Sequence, residues 1–348
     1  MQRSADPRPK SEPPVVDRML RTVIATVTAG GPPPPTRMLT PLRARAVEHT
    51  LGSHYERAAS VAARLSSGDD HAKQELAALA TEALSSMRAD VQRRATDRGL
   101  LARVVAHGDA RWGDCQADEL LDDPTLDQAM RTGIMETLDD FNELIESYGR
   151  FFDQLLPLAN PNGPTRVLDL AAGHGGFALA AAREARSRGL DFQFTASDLK
   201  REYLDIGEEI ARRDGLEVEF AVQDALDLSN LAPGAYDIII CTQSLHHFPP
   251  GLVAVMFEAA ARAETRGVVF IDACRSLLSG VTSAVIAARM RNAPWFHDAW
   301  ISTRKSYVPE ELELLARISQ PGGDLDATWM PPCHCLLRWR APEAAVRV

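Results

Sequence analysis

The chain has 348 residues, with 38 lysines and arginines against 48 aspartates and glutamates, giving a formal net charge of −10. This acidic balance argues against a nucleic-acid partner held through its phosphates, because such proteins carry a basic stripe. Five cysteines without framework spacing predict free thiols in a reducing compartment. The N-terminus has no apolar signal region, and no apolar run reaches about 18 residues. We therefore expect a cytoplasmic protein without a membrane segment.

The N-terminal third is predicted to be helical. Residues 1–13 are charged and rich in proline, which predicts a disordered tail. Residues 14–117 form the predicted helical region, in which a proline run at 32–35 is expected to be a stiff linker between helices. The Ala- and Leu-rich segments that follow repeat apolar residues at helical spacing. These helices are expected to be a scaffold and could form the surface of a homodimer.

The remainder, residues 118–343, is predicted to be one domain with a helix at its start. Asp123 before Pro124 indicates the first turn of that helix. From Thr165 onward, short apolar runs alternate with helical patterns, and the last two runs flank Pro331-Pro332, a candidate hairpin turn. This alternation predicts an α/β fold. We expect a Rossmann-like, doubly wound, mostly parallel sheet of seven strands with an antiparallel edge strand and an α-helical N-terminal extension.

A glycine-rich loop follows the first predicted strand, in the sequence VLDLAAGHGGFALA. Gly173 and Gly175 would let backbone N–H groups approach a ligand closely. The loop alone also fits a dinucleotide-binding pattern or a plain strand-to-helix turn. Asp169, just before the loop, would repel a pyrophosphate but could hold the ammonium of a methionine group. Its alternative role is to accept hydrogen bonds from the loop itself.

Carboxylates also follow the second and third predicted strands. Asp198, with Leu199 beside it, could accept both hydroxyls of a ribose or could cap the next helix. Asp224 and Ala225 follow the third strand, where a surface turn is the alternative. Three acceptors at the carboxyl ends of three successive strands indicate a nucleoside site, because ligands bind at that edge of such sheets.

The string DIIICTQSLHHF follows at residues 237–248 and places Thr242, His246 and His247 at the same sheet edge. Either histidine could be a general base on a substrate, or could orient the loop by hydrogen bonding. Cys333-His334-Cys335 is too compact for a four-coordinate zinc site. We therefore expect no metal ion.

These motifs resemble those of class I S-adenosylmethionine (SAM)-dependent methyltransferases, whose first motif reads hydrophobic-hydrophobic-D/E-x-G-x-G-x-G. Here Ala171 stands at the first glycine position, so we expect a shifted contact. The LHHF string is similar to the fourth motif of the ubiquinone and menaquinone biosynthesis methyltransferases. The resemblance covers about residues 118–340. It implies that SAM is bound at the methionine end by Asp169, Ala171, Gly173 and Gly175, at the ribose by Asp198 and Leu199, and at the adenine by Asp224 and Ala225, with Thr242 beside them.

The resemblance also implies an enzyme that methylates an O, N or C atom of a small molecule, as in specialised metabolism. The rate of such a transfer depends mostly on holding the methyl donor and the acceptor atom in line, so a base is dispensable for some acceptors. Two alternatives stay open at this stage. A nicotinamide-dependent oxidoreductase explains the glycine loop and Asp198, but leaves Asp169, Asp224 and the LHHF string without a role. A non-catalytic SAM-binding interaction protein would use the N-terminal helices as its working part.

Overall fold

The structure is a computed structural model that describes residues 31–276, 279–280, 284, 289–319 and 322–342. The predicted disordered tail and the helical pattern that follows it, at 15–27, lie outside the described residues. No helix among the described residues has both the length and the apolar character that crossing a bilayer requires.

Three helices form the described part of the N-terminal region: α1 (Pro34–Ser66), α2 (Asp70–Asp97) and α3 (Leu100–Gly113). Helix α1 begins inside the proline run, so a stiff linker spanning the whole run was a wrong expectation. Proline is tolerated there because the first N–H groups of a helix have no intrahelical acceptor. Helix α2 begins after Asp69, whose carboxylate accepts a hydrogen bond from the backbone N–H of His71 at 2.9 Å.

A short 3₁₀ turn at Leu120–Asp122 leads to α4 (Gln128–Leu144) and α5 (Ser147–Asp153). Asp127, and not Asp123, caps α4, by accepting from the N–H of Met130 at 3.1 Å. Asp123 instead accepts from the N–H of Thr125 at 2.8 Å and forms a turn before the helix. The sequence offered two aspartates within five residues, and periodicity alone could not choose between them.

The rest of the described chain is a seven-stranded sheet with helices. The strands are β1 (Thr165–Asp169), β2 (Phe192–Asp198), β3 (Val218–Val222), β4 (Ile238–Thr242), β5 (Gly267–Ala273), β6 (Asp324–Met330) and β7 (His334–Arg340). The helices are α6 (Gly176–Arg188), α7 (Arg201–Asp214), α8 (Pro250–Arg262), α9 (Ala293–Lys305) and α10 (Pro309–Arg317).

The strand order is β3-β2-β1-β4-β5-β7-β6, parallel except for β7, which pairs antiparallel with both of its neighbours. The predicted fold class is therefore confirmed, including the hairpin around Pro331-Pro332. The order reverses between β1 and β4, which pair with Leu168 opposite Ile239. Such a reversal opens a crevice at the carboxyl ends of the two strands, where ligands bind in this architecture.

Two apolar clusters cover the two faces of the sheet. Phe151 and Phe152 of α5 are fully buried in the cluster on one face, with Phe194 of β2. The other cluster joins side chains of α1, α2 and α3 with those of the sheet, so the N-terminal helices and the sheet share one core. Helices α2 and α8 are so close that a Cβ on Gly251 would lie 2.2 Å from the carbonyl oxygen of Ala77.

Candidate active site

A chamber of about 400 Å³ lies at the carboxyl edge of the sheet, beside the reversal point. Most of the site residues predicted from sequence line it: Ala171, Gly173, Asp198, Leu199, Asp224, Ala225, Thr242 and His247. We call this space the large chamber. Two of the predicted cofactor residues, Asp169 and Gly175, do not line it. The parallel strands bring these groups together because their carboxyl ends meet at one edge.

The loop after β1 contains the departure from the glycine motif. Ala171 has a φ of 50°, in the left-handed region that favours glycine. Holding alanine there costs about 1–2 kcal/mol, which explains why a glycine is expected at this position. Its carbonyl oxygen accepts a hydrogen bond from the Ser244 hydroxyl at 2.8 Å. The loop thus keeps a left-handed turn although alanine stands at the first glycine position of the motif, and Ala171 lines the chamber.

Asp198, at the end of β2, is tied to the same loop. One of its carboxylate oxygens accepts from the backbone N–H of Gly173 at 2.9 Å, and the other accepts from the N–H of Lys200 at 2.9 Å. The second bond closes a turn before α7, whose N-cap is Lys200 itself, so Asp198 is not the helix cap that the sequence left open. Each carboxylate oxygen keeps acceptor capacity for a further donor in the chamber.

Asp169 lies at the end of β1 and is almost completely buried, at 1% exposure. Its Oδ1 atom has no hydrogen-bond partner among the described residues. Burial, with a smaller contribution from the neighbouring Asp198 carboxylate, raises the pKa of Asp169 well above its ordinary value. A positive charge close to this residue would stabilise its ionised form.

The third strand ends in a tight turn at the chamber wall. Asp224 Oδ1 accepts from the backbone N–H of Leu226 at 2.9 Å, so the turn that was the alternative for this residue does form. Ala225 is buried beside it, and Leu199, across the chamber, is 64% exposed. The turn and a ligand role are compatible, because Asp224 also lines the chamber.

A second chamber, of about 110 Å³, adjoins the first. Gln243 and His247 line both spaces. We call it the small chamber. Its apolar wall includes Phe141 and Trp295, whose ring centroids are 5.3 Å apart. The small chamber shares lining residues with the large chamber and combines apolar side chains with several polar ones, as ligand pockets do.

The two predicted histidines sit at the junction of the chambers. His246 places Nδ1 at 2.9–3.0 Å from the two carboxylate oxygens of Asp272, at the end of β5. Asp272 also accepts from the backbone N–H of His246 at 2.8 Å. Burial alone would lower the pKa of His246, but Asp272 and Glu119 raise it to about 9. With this pKa, His246 is protonated at neutral pH and cannot accept a further proton. His247, at the junction of the two chambers, is therefore the better candidate for a base.

Glu119 is a site residue that the sequence analysis missed. It precedes the 3₁₀ turn, is 4% exposed, and faces both histidines. The turn is held in place by Asp298 of α9, whose carboxylate accepts from the N–H groups of Leu120 and Leu121 at 2.7 and 3.1 Å. Glu119 lies in a polar stretch without periodicity, so no pattern marked it. Asp272 could have been found, because it ends a buried strand as Asp169 and Asp198 do.

Gln243 is the second residue that sequence reasoning left without a role. It has a φ of 55° and exchanges two amide hydrogen bonds with the fully buried Asn142 of α4, at 2.9 and 3.0 Å. This pairing clamps the β4 loop to the helix that precedes the sheet. Backbone strain of this kind is held only where the surroundings fix it, and it is common at functional sites.

His334 of the Cys-His-Cys run also lines the small chamber. Burial lowers its pKa to about 4, so the ring is neutral at physiological pH. Its Nδ1 has no hydrogen-bond partner among the described residues. His334 therefore adds a neutral, buried imidazole to the wall of the small chamber.

Comparison with known proteins agrees with this geometry. The family described as "Methyltransferase domain" matches residues 167–267, which span β1 to the start of β5. The ubiquinone biosynthesis O-methyltransferase of Xanthomonas campestris pv. campestris (strain B100) is 29% identical over 123 residues, 35% of this chain and 48% of that protein. The enzyme of the same name from Xylella fastidiosa (strain 9a5c) is 27% identical over 128 residues, 37% of this chain and 49% of that protein. The chain thus spans about half the length of the curated relatives it matches.

Solved structures with a similar chain path include two methyltransferases. A SAM-dependent methyltransferase from Aquifex aeolicus gives a TM-score of 0.42 at 16% identity, over 61% of this chain and 98% of that one. Phosphoethanolamine N-methyltransferase 2 of Haemonchus contortus, in complex with S-adenosyl-L-methionine, gives 0.45 at 16% identity, over 66% of this chain and 61% of that one. The family match, with which the strand order and the chamber at the strand ends agree, identifies residues 167–267 as a methyltransferase domain.

Proposed function

We propose that this protein transfers the methyl group of SAM, bound in the large chamber, to a small molecule held in the small chamber. When bound, the cofactor supplies an electrophilic methyl group on a sulfonium. The protein's part is to hold donor and acceptor in line and to keep water away from them. The two adjoining chambers, which share Gln243 and His247 as lining residues, support this division.

The main support for the proposal is the hydrogen bond between the Asp198 carboxylate and the backbone of the glycine loop. The N–H of Gly173 is already donated to Asp198, and the N–H of Gly175 is donated to the carbonyl oxygen of Ala172 at 2.8 Å. These two amides are therefore not free to cradle a phosphate, and the carboxylate of Asp198 would repel one. A nucleoside ligand without phosphates suits this loop better than a dinucleotide, which disfavours the oxidoreductase alternative.

The residues of the large chamber fit the parts of the cofactor in turn. We assign the ribose hydroxyls to Asp198, which keeps acceptor capacity, and the adenine to Asp224 and Ala225. We assign the methionine ammonium to the loop at Ala171 and Gly173. Its positive charge would lie near the buried Asp169, whose Oδ1 lacks a partner. Leu199 and Thr242 complete the wall.

On the acceptor side, we assign His246 and His247 to the bound small molecule. Among O, N and C acceptors we favour a hydroxyl oxygen, because the relatives named above are O-methyltransferases. The apolar wall around Phe141 and Trp295 suits a compact apolar or aromatic body. The five cysteines are free thiols, which supports a reducing compartment, and we propose the cytoplasm.

Calorimetric titration with S-adenosylhomocysteine (SAH), beside NADH and NADPH, tests the proposal. We expect SAH to bind at one site per chain with a dissociation constant of roughly micromolar order, and we expect no heat from either nicotinamide nucleotide. Binding of NADH or NADPH without SAH would overturn the proposal. Binding of SAH together with release of labelled methyl product from labelled SAM would also exclude the interaction-protein alternative, which has no turnover.

A further inference from the structure

Three ligand-type side chains converge at the small chamber: Glu119, His246 and His247. Nε2 of His246 lies 3.5 Å from one carboxylate oxygen of Glu119, and Nε2 of His247 lies 3.9 Å from the other. One ligand atom from each of the three residues lies within 4.8 Å of the others. The two imidazole rings lie side by side, with centroids 4.3 Å apart.

Each histidine has a further carboxylate on its other ring nitrogen. Nδ1 of His246 lies 2.9 Å from Asp272, and Nδ1 of His247 lies 3.4 Å from Asp122. In a neutral imidazole, a carboxylate at Nδ1 fixes the proton on that nitrogen and leaves Nε2 as a lone-pair donor. Metal-bound histidines are oriented by such outer carboxylates.

The ring protons decide how the three residues face one another. A protonated His246 points an N–H from Nε2 toward Glu119, whereas an imidazole without its Nε2 proton presents an acceptor there, as Glu119 does. A divalent cation would take the place of that proton between the nitrogen and the carboxylate. Ser302 donates a hydrogen bond to one Glu119 oxygen at 2.9 Å, but a hydroxyl supplies no positive charge to the carboxylate.

The charges around the cluster also favour a cation. The side chains of Glu119 and Asp272 are 3% and 1% exposed, and Asp122 adds a third carboxylate. Within the part of the chain that the structure describes, these three carboxylates form ion pairs with the two histidines and with no arginine or lysine. Three carboxylates face only two histidines at this cluster, and a divalent ion would balance the remaining negative charge.

We propose that Glu119, His246 and His247 bind one divalent metal ion, for which zinc is the best match, and that the fourth ligand is a hydroxyl of the acceptor. Two nitrogens and one carboxylate oxygen are a ligand set that zinc uses when one position stays open. Zinc–ligand bonds of about 2.0–2.1 Å place two tetrahedral ligand atoms about 3.3 Å apart. The separations of 3.5 and 3.9 Å, which run to the two different oxygens of Glu119, would shorten by a few tenths of an ångström. All three ligand atoms lie within 4.8 Å of one another, so the widest separation would shorten by at most about 1.5 Å.

The position of the cluster indicates what the open coordination site would meet. All three ligands line the small chamber, and His247 also lines the large one. The small chamber, at about 110 Å³, is smaller than an engineered apolar cavity of about 150 Å³ that holds benzene. We therefore expect it to take at most the hydroxyl-bearing part of a single-ring compound, with the rest in the adjoining large chamber. A bound cation would lower the pKa of that hydroxyl, whose proton would pass to solvent. The assignment of the acceptor hydroxyl as fourth ligand rests on the proposed methyl transfer. The three-residue metal site does not depend on that function. This site replaces the expectation, made from the sequence, of a protein without a metal ion.

Cobalt titration of chelator-treated, full-length protein tests the three-residue site. We expect one Co²⁺ per chain, with visible d–d absorption bands of a four- or five-coordinate site, displaced by one equivalent of Zn²⁺. Glu119→Gln and His247→Asn should weaken the affinity by about 100-fold or more, and Asp272→Asn by about 10–100-fold. His49→Asn is the matched control, because His49 is exposed and lies 3.5 Å from a carboxylate, that of Asp90, outside both chambers. It should bind Co²⁺ as the wild type does.

Absence of the bands, or equal affinity in wild type and in both folded ligand variants, would overturn the metal site. Far-ultraviolet circular dichroism identifies folded variants, and His247, at 31% side-chain exposure, is the safer replacement if Glu119→Gln unfolds. Catechol should shift the cobalt bands and 1,2-dimethoxybenzene should not. An equal response to both would overturn the hydroxyl assignment. SAH titration of the same samples separates the two proposals, since metal binding without SAH binding contradicts only the methyltransferase function.

Discussion

Replacing Asp198 with alanine is expected to weaken SAH binding by about 100-fold, because two hydrogen bonds from ribose hydroxyls to a carboxylate would be lost. Asp198 is the most connected of the predicted cofactor residues, since it also accepts from the N–H groups of Gly173 and Lys200. Calorimetry on the purified variant measures the loss. Asp205→Ala is the control, because that aspartate is exposed on α7 and, among the described residues, forms an ion pair with Arg201 of the same helix alone.

The loss of affinity in Asp198→Ala could also come from a displaced glycine loop. An SAH analogue without the two ribose hydroxyls separates the two causes in a double-mutant cycle. If Asp198 binds the ribose, the analogue binds wild type weakly and loses little more in the variant. An equal additional loss for SAH and for the analogue would contradict the ribose assignment and leave Asp198 as a support of the loop.

The largest effect on stability is expected from Glu311→Gln in α10. Both carboxylate oxygens of Glu311 accept from the guanidinium of Arg275, at 2.8 Å each, and Arg88 donates from Nε at 2.7 Å. The side chains of Glu311 and Arg275 are 2% and 5% exposed. Removing one partner of a buried pair leaves the other charge uncompensated, which costs about 3–5 kcal/mol of the free energy of unfolding. Urea denaturation monitored by circular dichroism measures this change.

Glu313→Gln is the matched control on the same helix. Glu313 pairs with Arg317 near the surface, and such pairs contribute about 1 kcal/mol or less. The double variant Arg275→Met with Glu311→Leu should recover most of the lost stability, because it removes both buried charges. If Glu311→Gln is no more destabilising than Glu313→Gln, the buried pair does not hold α10 to the sheet and the N-terminal helices.

The pH dependence of the Glu311 contribution has a defined sign. Burial alone would raise the pKa of Glu311, but Arg275 and Arg88 lower it well below the ordinary value of 4.5. A carboxyl with a lowered folded-state pKa adds stability above its unfolded pKa and loses it as the pH falls. The difference between wild type and Glu311→Gln should therefore be constant from neutral pH to near 4.5 and shrink below it.

The sheet was predictable because its signals are local. Buried runs such as Ile238–Thr242 alternate with helical patterns, and hydrophobic periodicity reports each element within a few residues of sequence. The carboxylates at the ends of β1 and β2 followed from the rule that ligands bind at that edge. Seven of the nine predicted cofactor residues line the large chamber, since the sheet fixes where those strands end.

The rest of the site depends on contacts between distant segments. Glu119 reaches His246 from a polar loop, and Arg275 reaches Glu311 across 36 positions of the chain. No periodicity links such residues, because their meeting is set by how α9 and the N-terminal helices pack. Asp169 is a different case: its place in the motif was recognised, but its complete burial follows from packing around the end of β1.

A crystal structure of the protein grown with SAH would show whether the large chamber is the cofactor site. We expect SAH in the large chamber, with its ribose at Asp198, its adenine beside Asp224 and Ala225, and its sulfur at the junction marked by His247. SAH bound outside this chamber, or a large chamber without SAH in crystals grown at saturating ligand, would contradict this assignment.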